Sequence, residues 1–233
     1  MATKSTKINA GVLLIELNCD NGAGRHENAF LMLQSGASVP KQQQNYRKRK
    51  QDLVRTYSDG GGKQEPDDLD STYTAAREMR EESAGLIAIP PQALAKTLVI
   101  DIGYKYLCYV IATDTPIDTS LFQKNRKCIK NAPMSWKEAS AFTKFYFSDL
   151  LTRTRADMTT DIHGVDRMLS TRAQRILTEV ILMRNDPIDR ISIISLMPGI
   201  ATAPDFAIGT SIYEVADTVA HAESIAETTA EKK

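Results

Sequence analysis

The apolar positions of this chain fall into short runs of strand length, interrupted by two stretches with helical spacing. Residues 11–17 (Gly-Val-Leu-Leu-Ile-Glu-Leu) and 29–35 (Ala-Phe-Leu-Met-Leu-Gln-Ser) predict two strands, with turn chemistry at Asp20, Asn21, Gly22 and Gly24 between them. Residues 52–57 predict a third strand. It leads into Asp59-Gly60-Gly61-Gly62-Lys63, read as a loop whose glycines let the backbone approach a ligand or take positive φ. A helix is expected over about 71–83, capped by Asp70 or Ser71, filled with good helix formers from Ala75 to Glu82, and stopped by Gly85. Strands follow over 96–102, 104–112 and 144–147. A second helix spans 170–183, with Ile176, Val180 and Ile181 on one face, and ends near Asn185, Asp186 and Pro187. This order predicts an α/β fold with mixed strands and two substantial helices.

Two segments lack any apolar period. Residues 36–50 carry Gln42, Gln43 and Gln44 and then Arg47, Lys48, Arg49 and Lys50, the mark of an exposed basic insertion. Residues 214–233 are rich in Ala, Glu and Thr without an aromatic residue, as in a marginal helix or a disordered tail. The expected organisation is one domain over 8–185 and a C-terminal extension over 186–233, with no internal repeat.

At 233 residues the chain is long enough to bury about three quarters of its unfolded surface, so no disulfide or structural metal is needed for a core. Lys plus Arg and Asp plus Glu both number 29. A net charge of zero disfavours wholesale attraction to nucleic acid or an anionic membrane and leaves only local patches. Cys19, Cys108 and Cys128 lack zinc or redox spacing and read as reduced thiols. The apolar run over 10–17 contains Glu16, and that over 191–213 contains Pro198, Pro204 and Asp205. Neither reads as a secretory or spanning segment, which leads to the expectation of a soluble, cytoplasmic protein without a membrane partner.

The densest chemistry is Arg77-Glu78-Met79-Arg80-Glu81-Glu82. At about 100° per residue, Glu78, Glu81 and Glu82 share an arc of roughly 100°, while Thr72, Ala76, Met79 and Ser83 lie elsewhere on the helix. Like charges at this spacing cost a few tenths of a kcal/mol per pair, so the three carboxylates call either for a cation or for solvation. Oxygen donors on a rigid element suit Mg²⁺ or Mn²⁺. The alternative is a solvated helix face on which Arg77 and Arg80 pair with the glutamates.

With the glycines that precede it, this helix resembles the Nudix family. The family's box reads Gly, five residues, Glu, seven residues, Arg-Glu, an aliphatic, any residue, Glu-Glu, any residue, Gly, aliphatic. Here the corresponding residues are Gly62, Asp68, Arg77, Glu78, Met79, Glu81, Glu82, Gly85 and Leu86. Asp68 stands where the family has Glu, one extra residue separates it from Arg77, and Ala84 holds the Gly position with Gly85 one place late.

The resemblance implies an α/β/α sandwich around a mixed sheet and a metal-dependent hydrolase. It implies Glu81 and Glu82 as main metal ligands, Glu78 as a ligand or the base that activates water, and Arg77 as the residue orienting Glu78. The Gly61 or Gly62 carbonyl would add a ligand, Asp68 would stand in for the loop carboxylate, and Lys63 would touch phosphate. Glu138, in Ser135-Trp136-Lys137-Glu138, is the candidate for a further acid beyond the box, with a surface Glu beside the lone Trp as the other reading.

The implied substrate is a nucleoside diphosphate linked to another group. Removal of an RNA 5′-cap or 5′-triphosphate is the second reading, motivated by Lys41, Arg47, Lys48, Arg49, Lys50 and Arg55 as phosphate contacts. A third is a non-catalytic binding or regulatory protein, motivated by the departures from the box. Tyr104, Tyr106 and Tyr109 either stack on a base or mark an ordinary strand, and His26, His163 and His221 read as exposed or structural. A homodimer is the expected assembly.

Overall fold

In a computed structural model of the protein, the structure describes residues 8–20, 26–35, 55–129, 133–152, 155–182 and 191–196. The expected basic insertion with Arg47 and Arg49, the expected helix end near Asn185, and the C-terminal tail lie outside them.

The apolar run at the start becomes β1 (Asn9–Asp20), buried on both faces: Ala10, Val12 and Leu14 join one core, Leu13 and Ile15 the other. A strand covered on both sides reads as nearly continuous apolar sequence rather than alternation. It pairs in parallel with β6 (Tyr106–Thr113) and antiparallel with β2 (His26–Ser35), and β7 (Ala139–Tyr146) lies antiparallel beyond β2. Antiparallel β5 (Leu98–Asp101) and a short parallel β10 (Ile193–Ile194) add to the other side of β6.

Between β1 and β2 the sheet splays. Leu14 still faces Leu31, but Asn9 to Val12 pair instead with β4 (Gly60–Lys63), and Leu33 and Gln34 pair with β3 (Tyr57–Ser58). One segment thus enters along β2, crosses at Asp59, and leaves along β1. The glycines expected in a loop are therefore strand, and of the described residues expected in the strand over 52–57 only Tyr57 is in one. Tight packing explains the choice of residue. A Cβ on Gly61 would lie 2.1 Å from the Tyr106 hydroxyl, and one on Gly62 would lie 2.5 Å from the Glu78 carboxyl carbon.

The first helix, α1 (Ser71–Glu82), forms where expected. Its cap is Asp70, whose Oδ1 accepts from the amides of Thr72 at 2.7 Å and Tyr73 at 3.3 Å. Ala75, Ala76 and Met79 pack onto Val12, Leu14 and Leu33. Two short helices, α2 (Pro91–Leu94) and α3 (Leu121–Cys128), add Leu94 and Phe122 to the same core. The other face is covered by α4 (Phe147–Thr152) through Leu150 and by α5 (Thr171–Leu182) through Ala173, Ile176, Leu177 and Val180. The i, i+3, i+4, i+7 stripe explains that docking; Ile181, expected in it, is only half-buried. The result is the expected mixed sheet between two helical layers. A hairpin of β8 (Met158–Thr160) and β9 (Asp166–Met168) precedes α5. Among the described residues no helix is long and apolar enough to cross a membrane.

Candidate active site

Helix α1 lays its acidic residues against the glycine strand β4. The Gly61 amide donates to Glu82 Oε2 at 2.9 Å, and Gly62 leaves the space in which the Glu78 carboxylate sits. Arg77 joins this cluster to the strand. Its Nε and Nη2 donate to the two oxygens of Asp68 at 3.1 and 3.0 Å, Nη2 also donates to the Lys63 carbonyl at 2.9 Å, and Nη1 lies 3.0 Å from Glu78 and 3.5 Å from Glu81. Side-chain exposure is 14% for both Glu78 and Glu81, which decides against a solvated helix face.

Asp68 is turned toward Arg77 and not toward the helix carboxylates. Its Oδ2 also accepts from Thr74 Oγ1 and from the Glu65 amide. Burial, the largest single effect, would raise its proton affinity, but the hydrogen bonds and charge of Arg77 together with the bonds from the Glu65 amide and Thr74 outweigh it and hold the carboxyl below the usual range. The extra residue of spacing does not prevent this forked pair. At the other end of α1, Ala84 takes φ 55° and Gly85 φ 76°, and the Gly85 amide donates to the Arg80 carbonyl at 2.8 Å. Ala84, at the box's Gly position, occupies the left-handed region that glycine adopts without cost.

The cluster holds more negative charge than its cations offset. Burial pushes Glu78 up to about 7, with Glu81 and Glu138 adding repulsion and Arg77 opposing. Burial pushes Glu82 up to about 8 against Arg172 and the Gly61 amide. Glu81 is likewise raised by burial, although Arg77 and a hydrogen bond from Ser135 act the other way. The structure therefore brings Glu138 within electrostatic reach of Glu78. It is exposed, just after a 3₁₀ turn (Met134–Lys137) whose Trp136 packs under Arg80 of α1, 5.3 Å from ring centroid to guanidinium. Lys63 is exposed at the end of β4, whereas Arg47 and Arg49 lie outside the described residues.

A layer behind the glycine strand has no motif in the sequence. Asp59, 2% exposed, accepts at Oδ1 from Arg172 Nε at 2.7 Å and Ser58 Oγ at 2.8 Å, and at Oδ2 from the Tyr106 hydroxyl at 2.5 Å. Arg172 also donates to the carbonyls of Asp59 and Gly61 at 3.1 and 3.4 Å, and its guanidinium stacks 4.7 Å over Tyr106. Gly61 is thus held at its amide by Glu82 and at its carbonyl by Arg172. The only signals in the sequence are an acid before a glycine run and a cation in the first turn of an apolar helix.

Among the described residues no set of three His, Cys, Asp or Glu side chains converges closely enough to hold a metal ion. In kind the donors still suit a hard divalent cation: all are oxygens, and burial makes their charged forms costly without a counter-ion.

No family model matches the chain, and no curated protein matches it. Among solved structures it is similar to a MutT/nudix family protein from Enterococcus faecalis, at 12% identity over 80% of this chain and 68% of that chain, with a TM-score of 0.43.

Proposed function

We propose that the protein is a divalent-metal-dependent pyrophosphohydrolase that splits a nucleoside diphosphate joined to another group. The observation carrying this reading is the pair Glu78 and Glu82, packed on the bare Gly61–Gly62 backbone, where burial raises the proton affinity of both. The likeness of residues 62–86 to the Nudix box supplies the reaction class.

Glu78, with a proton affinity near neutrality, is matched to taking a proton from water at physiological pH. Arg77 holds Oε1 of Glu78 and is itself fixed by Asp68 and the Lys63 carbonyl, so the base is oriented before substrate arrives. Asp68 in this reading positions Arg77. Glu81 and Glu82 would hold Mg²⁺ or Mn²⁺. The ion would neutralise phosphate oxygens and acidify a water. Exposed Lys63 would meet a phosphate, and Glu138 at the rim would be the second acid. The arrangement requires no serine or cysteine nucleophile.

The test is turnover by the purified protein with Mg²⁺ or Mn²⁺ on nucleoside triphosphates, ADP-ribose, dinucleoside polyphosphates and capped RNA. Release of a nucleoside monophosphate or a phosphorylated product is expected from one of the small molecules. Turnover confined to capped RNA would move the assignment to decapping, and none on any substrate would leave a non-catalytic binding role.

A further inference from the structure

Of the three tyrosines that could meet a base, two are committed to the fold. Tyr106 is buried with its hydroxyl on Asp59, and Tyr109 is buried with its hydroxyl 2.7 Å from Ser71 Oγ. Tyr104 is 84% exposed, at the tip of the β5–β6 hairpin.

The backbone there is unusual. Gly103, Tyr104 and Lys105 have φ of 79°, 55° and 61°, and the Tyr106 amide closes the turn on the Gly103 carbonyl at 3.1 Å. Positive φ at both central residues is the signature of a type I′ turn, for which Asn-Gly is the favoured pair. A bulky aromatic residue at positive φ is an outlier, and such outliers cluster at ligand and switch sites. Local bonds hold it in place: Gly103 N donates to Asp101 Oδ1 at 2.8 Å, and the Arg175 guanidinium lies 5.2 Å from the Tyr104 ring centroid. The remainder of the ring is open.

The tip also stands at the right end of the sheet. Asn9 of β1 pairs with Lys63 on one side and Tyr106 on the other, and its amide donates to the Lys105 carbonyl at 2.8 Å. Two strand spacings, about 10 Å, therefore separate the end of the glycine strand from the start of β6. Lys63 and Lys105 are both exposed, and among the described residues no ion pair engages either. An exposed aromatic ring, with Arg175 of α5 over one side and Lys105 next to it, thus stands near the end of the strand β4, whose opposite face meets the acidic residues of α1.

We propose that Tyr104 is the stacking platform for the base of a nucleotide substrate whose diphosphate lies at the glycine strand. This inference rests on the pyrophosphohydrolase reading and deepens it. Stacking of a base on an aromatic side chain tolerates any base, so the site selects nucleotides as a class over bare diphosphates.

The test pairs two non-hydrolysable probes in the presence of Mg²⁺: α,β-methylene-ADP and methylenediphosphonate, which share the bridge and differ by the nucleoside. Calorimetry on the full-length wild type should show the nucleoside probe binding about tenfold tighter or more. Tyr104→Asn should abolish that preference, leave methylenediphosphonate binding unchanged, and keep or raise Tm, because Asn suits the turn better. Tyr104→Phe should retain the preference. An undiminished preference in Tyr104→Asn, its loss in Tyr104→Phe, or a wild type that binds both probes alike would overturn the stacking role alone. Binding of neither probe by the wild type would overturn the pyrophosphohydrolase reading and this one with it.

Discussion

Two buried carboxylate clusters sit at the two ends of β1, made from similar parts. At the C-terminal end, Glu16 is 4% exposed and lies 2.8 Å from Lys144 Nζ, with further donors in the Ile117 amide at 2.9 Å and the Cys19 thiol at 2.7 Å. One anion meets one cation. Burial and the Glu16 hydrogen bond push the Cys19 thiol up to about 12, so it remains a protonated donor. At the other end Arg77 is divided among Asp68, Glu78 and Glu81, and Arg172, already paired with Asp59, is the cation acting on Glu82. The burial is comparable and the charge balance is not. A balanced buried pair does its work by existing; an unbalanced one is a standing demand for positive charge, met by protons near neutrality or by a cation.

The largest effect should come from unbalancing the balanced end. Glu16→Gln leaves Lys144 buried without its counter-charge and should cost about 3–5 kcal/mol in denaturant unfolding, with no change in turnover per folded molecule. An unaltered midpoint would mean that the pair is not held as the geometry indicates.

At the acidic end the same chemical change should do the reverse. Glu82→Gln removes a poorly compensated charge and keeps an acceptor for the Gly61 amide, so Tm should hold or rise. Turnover should fall at least about 100-fold, equivalent to about 3 kcal/mol of transition-state stabilisation. Wild-type turnover at saturating Mg²⁺ would remove Glu82 from the machinery.

Much of this site was legible in advance, because a helix imposes its geometry on sequence. The register of Arg77 to Glu82 fixed which acids share a face, and Asp70 announced the helix start. The strand identity of Gly60 to Lys63 was not legible: glycine carries no strand propensity, and only the packed Tyr106 hydroxyl and Glu78 carboxylate on either side explain it. Arg172 and Asp59 were invisible for another reason. They meet only because α5 packs across the sheet, a long-range contact that no local spacing encodes. The short helices α2, α3 and α4 fell below the length at which periodicity can be read.

A third test exploits acidity. Folded, Glu78 and Glu82 titrate near 7 and 8, against 4.5 for an ordinary glutamate, so the native state binds more protons between those values. Their contribution is fully present below about pH 4.5 and is lost as pH rises through 7 to 8. The metal-free protein should therefore lose stability, on the order of a few kcal/mol, from about pH 5.5 to about pH 8.5. Below that window Asp68, with its lowered proton affinity, works in the opposite sense. Saturating Mg²⁺ should flatten the loss, and Glu82→Gln should shrink it. A Tm that climbs across this range would contradict the burial of these two carboxylates.

The smallest effect belongs to the turn after α1, where a substitution leaves both clusters intact. Ala84→Gly relieves an alanine held at φ 55° and should raise stability by about 1 kcal/mol without altering turnover. A loss of stability would show that the buried methyl group outweighs the backbone strain.

In the proposed enzyme a divalent ion takes the place of protons on the buried carboxylates at the acidic end of β1. Proton release on Mn²⁺ binding, measured in weakly buffered solution at about pH 7.5, tests this most directly. Carboxylates titrating at 7 to 8 must shed protons as a cation replaces them. The wild type should take up Mn²⁺ saturably with release on the order of one proton per ion, and Glu82→Gln should release less. No uptake, or uptake without proton release by the wild type, would contradict that exchange.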